Sequence, residues 1–290
     1  MRATIPVFHL DTLCASPQQP ATVLFIGPAA GPAPPLPLDR LHRTAFYKIG
    51  LCLRGSARLR VNLETYDLGP GSLIVLSPYV VMQWVSRSAD CEALSLFFTK
   101  EFAATGGGSS PDEFTFFSPG VPHVVPLPPA AARHLTALLH TIGQRYETSH
   151  PYREQILRHL LQVLFYDTAP LYTAQHVAST ASRTRSQLIA AAFKQLVQAH
   201  YATERSLAFY ADKLCITPKH LAETVKEATG KRAGEWLVEA VLLEARVLLQ
   251  NPALPIGQIA EALHFAGQST FGRFFRHHTG MTPATYRQRS

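Results

Sequence analysis

At 290 residues, 47% hydrophobic and 16% charged, the chain is long enough for two cores and too apolar for global disorder. A net charge of +7 admits an anionic partner without demanding one. No apolar run approaches the roughly 18 residues of a bilayer-spanning helix, and MRATIPVFHLDTLCASPQQ at the start lacks the apolar stretch of a signal peptide. The expectation is a cytoplasmic protein with no membrane partner. Cys14, Cys52, Cys91 and Cys215 are scattered and never form C-x-x-C, so neither a zinc site nor a disulfide framework is expected.

The first portion reads as β. After the proline-rich GPAPPLPL at 31–38 comes FYKIGLCLRGSARLRVNLETYDLGPGSLIVLSP. Leu59, Val61 and Leu63 alternate with Arg58, Arg60, Asn62 and Glu64, the period of a strand with one wet face. Gly55-Ser56 and Gly69-Pro70-Gly71 punctuate the run as turns. Further strands are predicted at 72–76, 82–85 and 93–98, and short strands at this spacing make a small barrel or sandwich. Gly106-Gly107-Gly108-Ser109-Ser110 reads as a mobile tip, since no Gly-Lys-Ser/Thr follows to make a phosphate cradle.

From residue 129 the period changes. Leu135, Leu138, Leu139 and Ile142 stand at helical spacing, as do Ile156, Leu157, Leu160, Leu161 and Leu164, predicting a helical hairpin. APLYTAQHVASTASRTRS at 169–186 is polar, rich in small residues and aperiodic, the composition of a linker. The remainder holds an internal repeat of about fifty residues. Leu207, Ala211, Leu214, Leu221 and Thr229-Gly230 match Ile256, Ala260, Leu263, Phe271 and Thr279-Gly280. Each unit is a short helix, a tight turn and a second helix ending at a glycine cap, which is a helix-turn-helix twice over. In the second unit Phe271, Phe274, Phe275 and His278 share one helix face. Gln268, Ser269, Gly272, Arg273 and Arg276 share the other.

Residues 187–290, and above all IGQIAEALHFAGQSTFGRFFRHHTGMTPATYR, resemble the double helix-turn-helix DNA-binding domain of the AraC/XylS family of bacterial transcription regulators. The resemblance implies an α+β protein in four parts. A cupin-like β-barrel over 1–128 binds an effector or dimerises, and a helical hairpin over 129–168 pairs with a second copy. A linker spans 169–186. Over 187–290 lies an all-α domain of two helix-turn-helix units joined by a long helix at 233–250. The implied partners are double-stranded promoter DNA, a small-molecule effector, a second copy of the chain and RNA polymerase.

The family's base-reading positions fall on Lys219, Ala222 and Glu223 in the first unit, and on Gln268, Ser269, Gly272 and Arg273 in the second. Arg273 suits guanine O6 and N7, and Gln268 suits adenine N6 and N7. Thr217, Lys226, Arg276, His277 and Arg287 are placed for phosphates, which set register without reading sequence. Cys215 and His264 stand in the helix-helix turns where the family often has glycine. A left-handed backbone there costs roughly 1–2 kcal/mol. Lys219 and Glu223, one turn apart, also suit a plain surface ion pair.

A metal-dependent cupin enzyme is the rival reading, and it needs several convergent ligands. His42 has no H-x-H partner, SPYVVMQW holds Met82 and Gln83 where a later histidine would stand, and His123 lies in a proline-rich loop. No catalytic residue, metal or cofactor is therefore expected. For an effector pocket the candidates are Tyr47, Arg54, Arg58 and Trp84; the alternative is a barrel that only dimerises.

Overall fold

The structure, a computed structural model, describes residues 7–10, 23–26, 41–78, 80–118, 121–182 and 184–289. Cys14 and the proline-rich segment 31–38 lie outside the described residues. The chain divides into two compact units with the boundary between Ser179 and Thr180.

In the first unit, β1 (Val7–Phe8), β2 (Val23–Ile26) and β3 (Arg43–Thr44) precede β4 (Tyr47–Arg54), β5 (Ala57–Val61) and β6 (Glu64–Leu68). Then come β7 (Ser72–Leu76), β8 (Met82–Arg87), β9 (Glu92–Phe98), the short helix α1 (Lys100–Ala104) and β10 (Val124–Pro126). Two helices finish the unit, α2 (Pro129–Glu147) and α3 (Arg153–Ser182). A five-stranded sheet in the order β10-β7-β4-β9-β2 and a three-stranded sheet β6-β5-β8 carry the fold, both antiparallel, beside a small parallel β1-β3 pair.

Alternation along the strands assigns the faces. In β5, Ala57, Leu59 and Val61 are buried while Arg58 and Arg60 are exposed, as the period of two requires. In β4 both faces are covered. Tyr47, Ile49 and Leu51 join Leu73, Val75, Leu94, Leu96 and Phe98 in a core with Leu135, Leu139 and Ile142 of α2 and Leu157, Leu161, Leu164 and Phe165 of α3. On the opposite side Ile74 and Leu76 of the large sheet meet Leu59, Val61, Leu68 and Met82 of the small one. The predicted hairpin thus packs on its own barrel.

Two local expectations are corrected. The stretch from 169 is not aperiodic coil, because α3 runs on through Pro170 to Ser182. Proline removes one helical N–H, but Ala169, Leu171 and the buried Tyr172 pack on the barrel core, and alanines at 174, 178 and 181 favour helix. The glycine loop after α1 is likewise pinned. Gln162 of α3 accepts from Ser109 N (3.1 Å) and donates to the carbonyls of Ala103 (3.0 Å) and Ser109 (3.2 Å). A Cβ on Gly108 would stand 2.7 Å from Ala103 O, so glycine is required for that approach.

The second unit is all helix: α4 (Arg185–His200), α5 (Leu207–Lys213), α6 (Pro218–Thr229), α7 (Ala233–Leu249), α8 (Ile256–Ala262), α9 (Gln268–Thr279) and α10 (Pro283–Arg289). Thr184 and Gln187 cap α4 reciprocally. α7 is buried along most of its length, which makes it the axis of the unit. Its Glu244 is buried and accepts from Tyr201 Oη at 2.7 Å. Among the described residues no helix is long and apolar enough to cross a membrane.

Candidate nucleic-acid interface and barrel interior

The sequence repeat is a repeat of hydrogen bonds. After α5, Cys215 takes φ 54°, and after α8, His264 takes φ 52°. Both are left-handed without being glycine. Each turn is closed alike, Ile216 N donating to Ala211 O (3.0 Å) and Phe265 N to Ala260 O (2.8 Å). Helices α6 and α9 then end the same way. Thr229 Oγ1 donates to Val225 O, and Thr279 Oγ1 to Phe275 O, both at 2.7 Å. Gly230 (φ 73°) and Gly280 (φ 77°) close the two helices, a conformation that glycine adopts without penalty.

This frame sorts the residues. Leu221, Thr224 and Val225 of α6, and Phe271 and Phe275 of α9, are buried. Lys219, Glu223 and Lys226 are exposed with Ala222 half-buried between them; Gln268, Ser269, Arg273, Arg276 and His277 are exposed beside half-buried Gly272. The structure therefore brings all seven expected base-reading positions onto the outward faces of two equivalent helices. Thr217 caps α6 by accepting from His220 N at 3.2 Å, leaving its own O–H to donate. Lys219 and Glu223 approach only to 4.0 Å with side chains 86% and 65% exposed, a contact worth well under about 1 kcal/mol. Neither is committed to the other.

Two residues depart from expectation. His278 is exposed at the edge of α9, its ring tilted against that of the half-buried Phe274 at 4.8 Å between centroids. Partial burial and the neighbouring His277 hold its pKa below the usual value. Arg287, expected on phosphate, turns inward. Its Nε donates to Leu249 O (3.3 Å) and its Nη2 to Leu254 O (2.6 Å), so it satisfies one carbonyl that the end of α7 leaves open and another in the turn before α8. Arg205 was not singled out in the sequence. Its guanidinium lies 3.9 Å over the Phe265 ring and donates to Leu263 O, tying the approach to α5 to the second unit's turn.

Of the four pocket candidates in the barrel, three are otherwise engaged. Tyr47 is buried in the helix-facing core, stacked on Phe98 at 5.4 Å, and its hydroxyl donates to Asp112 at 2.7 Å. Arg54 pairs with Glu92 (2.5 Å) and Arg58 with Asp67 (2.7 Å), both at the surface. Only Trp84 packs against the inter-sheet cluster. Sequence reading missed its neighbour Lys48, whose place between Tyr47 and Ile49 put it on the opposite strand face from them.

Lys48 pairs in register with Leu76 and Phe97 and is only 8% exposed. Its Nζ lies 5.2 Å from the Trp84 ring centroid and 5.3 Å from that of Phe97. No hydrogen-bond or ion-pair partner reaches it among the described residues. Cation–π contacts offset roughly 0.5–2 kcal/mol, less than the several kcal/mol an unpaired buried charge costs. Burial, with Arg87 second, pulls its pKa down to about 8. The cost of the charged amine to the fold is thus fully present below pH 8 and gone above its unfolded value of 10.5. Relative to Lys48→Met, wild-type stability is expected to rise by a few kcal/mol across that window, at about 1.4 kcal/mol per unit. Urea melts at stepped pH check this, and a flat difference would refute it.

Among the described residues no group of three or more His, Cys, Asp or Glu is placed to hold a metal. His42 packs edge-on against Phe8 (5.6 Å), and His123 Nδ1 sits 3.2 Å from Val75 O.

A twinned pair of helix-turn-helix units, in a chain that also carries an antiparallel β-barrel, defines a DNA-binding regulator with a sensory domain. Comparison of the sequence agrees: residues 210–289 match the family model described as a helix-turn-helix domain, and 38–164 that of the AraC-like ligand binding domain. The chain belongs to the AraC/XylS family of transcription regulators. It is 20% identical to the Msm operon regulatory protein of Streptococcus mutans, over 83% of this chain and 84% of that one. It is 22% identical to the arabinose operon regulatory protein of Salmonella typhimurium, over 86% of each. Among solved structures, the C-terminal domain of AraT, a response regulator from Geobacillus stearothermophilus, is 27% identical with a TM-score of 0.35, covering 37% of this chain and 89% of that one.

Proposed function

We propose that the chain reads promoter DNA by placing the N-terminal halves of α6 and α9 in successive major grooves. The observation that carries this is the duplicated frame, which turns Lys219, Ala222 and Glu223 and Gln268, Ser269, Gly272 and Arg273 outward on equivalent helices. The 17 residues of α7 span roughly 26 Å at about 1.5 Å each, on the scale of the ~34 Å between grooves on one face of the duplex. Base contacts come from Arg273 and Gln268, and Lys226, Arg276, His277 and Thr217 hold the backbone. The barrel holds a small-molecule effector that shifts the chain between arrangements of different DNA affinity. The regulator works in the cytoplasm as a homodimer, contacts RNA polymerase and has no catalytic step. The dimer is made by α3, where Val163 and Tyr166 are exposed.

Fluorescence anisotropy on DNA from its own upstream region, across a salt series, tests the phosphate assignments. Lys226→Ala and Arg276→Ala are each expected to weaken specific and random DNA alike and to lower the log–log salt slope by about 1. Unchanged slopes in both variants would remove these residues from the interface.

A further inference from the structure

We infer that Arg205 is a positioning residue for DNA recognition: by bridging the two helix-turn-helix units it fixes the spacing between half-sites that the chain accepts. This rests on the reading that α6 and α9 enter successive major grooves, and goes beyond it by naming a residue that sets their relative placement.

The repeat itself marks the contact. The match of Leu207 with Ile256 carries back to Arg205 and Leu254, and that of Leu214 with Leu263 carries on to Ile216 and Phe265. Leu254 is buried in the core of the second unit, and Ile216 is half-buried in the first. Arginine at 205 and phenylalanine at 265 are thus two departures from the repeated pattern, and the fold sets one on the other. The Arg205 guanidinium carbon lies 3.9 Å from the Phe265 ring centroid, and Nη2 donates to Leu263 O. A cation on a ring face and a charged donor on a carbonyl hold the same side chain. Neither contact serves one helix-turn-helix alone, because each joins a residue of one unit to the turn of the other.

Both ends of the bridge are anchored. On the first unit, His200 O accepts from Thr203 N (3.1 Å) and Glu204 N (2.8 Å), and Glu204 O accepts from Oη of the buried Tyr210 (2.7 Å). On the second, the Phe265 ring stands 5.3 Å from Phe271 and 5.1 Å from Phe274 of α9 between centroids. Arg205 therefore acts on the second reading helix through one ring. Helix α7 also links the units. Trp236 near its start donates to Thr229 Oγ1 at the end of α6 (3.3 Å), while Leu242, Ala245, Leu248 and Leu249 join the core of the second unit. A shared helix sets distance along its axis, and a tie off that axis resists twist of one unit against the other. One extra base pair between half-sites turns the second groove by about 34° and moves it about 3.4 Å. A chain tied twice cannot follow that turn without breaking a contact.

The test selects duplexes from a random pool with the full wild-type chain. The selected site is remade with one base pair inserted or removed at its centre, and with either half scrambled. Anisotropy competition is run on wild type, Arg205→Ala, Arg205→Lys and Phe265→Leu, each at a temperature where melts show it folded. Wild type is expected to bind the altered spacings at least about 10-fold more weakly than the selected one. Arg205→Ala should lose roughly 10-fold on the selected spacing, narrow the spacing ratio to about threefold, and bind half-scrambled duplexes within about twofold of wild type. Phe265→Leu should do the same, and Arg205→Lys, which keeps the charge without the flat fork, should fall between. A variant that weakens every duplex by one factor and keeps the wild-type spacing ratio has only lost stability, and overturns the inference. So does a salt slope lower by about 1 on all duplexes, random DNA included, which makes Arg205 a phosphate contact. A selected site with a single contacted half overturns the two-groove reading and this inference with it.

Discussion

Arg273→Ala is expected to reduce discrimination between operator and random DNA by about 1–3 kcal/mol, some five- to 150-fold, while changing random-DNA affinity much less. Arg273 is exposed one turn into α9, two residues after the buried Phe271 and two before the buried Phe275. Those two rings fix the helix rotation that aims it outward. Arginine presents a fork that matches guanine O6 and N7, so Arg273→Lys should not restore the lost selectivity. Arg276, one turn further along the same helix, supplies the contrast, because a phosphate contact weakens all sequences evenly. Competition anisotropy with operator and random duplexes separates the two. A uniform loss for Arg273→Ala would move it to the backbone-binding set.

Phe275→Ala is expected to cost 3–5 kcal/mol, the range for truncating a buried aromatic residue. Phe275 is fully buried, 5.8 Å from Phe271 and 5.5 Å from Tyr286 between ring centroids, in a core with Leu242, Ala245 and Leu249 of α7. It joins α9 to α7 and α10 at once, so no single neighbour is free to fill the gap. The second unit should melt at a lower temperature and operator binding should fail with it. Phe275→Leu, which keeps most of the volume, should cost less. Melts and DNA titrations at a temperature where the variant stays folded separate lost stability from lost contact. A full-length variant as stable as wild type would show that α9 is not anchored through this ring.

Much of the DNA-facing half was legible beforehand because its rules are local. Thr217-Pro218 announces a helix start, Gly230 and Gly280 announce helix ends, and the spacing of Leu221 and Val225, or of Phe271 and Phe275, assigns an inner face. The residues left over on each helix are then outward by elimination. His278 fitted the periodicity and still stands at the edge, since a stripe of side chains tells which direction a residue leans and not how far the next layer extends. The barrel was legible as strands and turns but not as a site. Tyr47, Arg54 and Arg58 looked available because nothing nearby in sequence occupies them, whereas Asp112 and Glu92 reach the first two from 65 and 38 positions away.

By itself the sequence determined the duplicated helix-turn-helix, its caps, its outward polar faces and the change from strands to helices, because each depends on neighbours within a turn of helix or a strand's alternation. Tertiary packing decided the rest. It carried α3 past Pro170, pinned the glycine loop to Gln162, and turned Arg287 onto the carbonyls of Leu249 and Leu254. It also set Lys48 between two rings with no acid beside it among the described residues. A side chain's partner is whatever the fold brings within about 3 Å, and distance along the chain does not encode that.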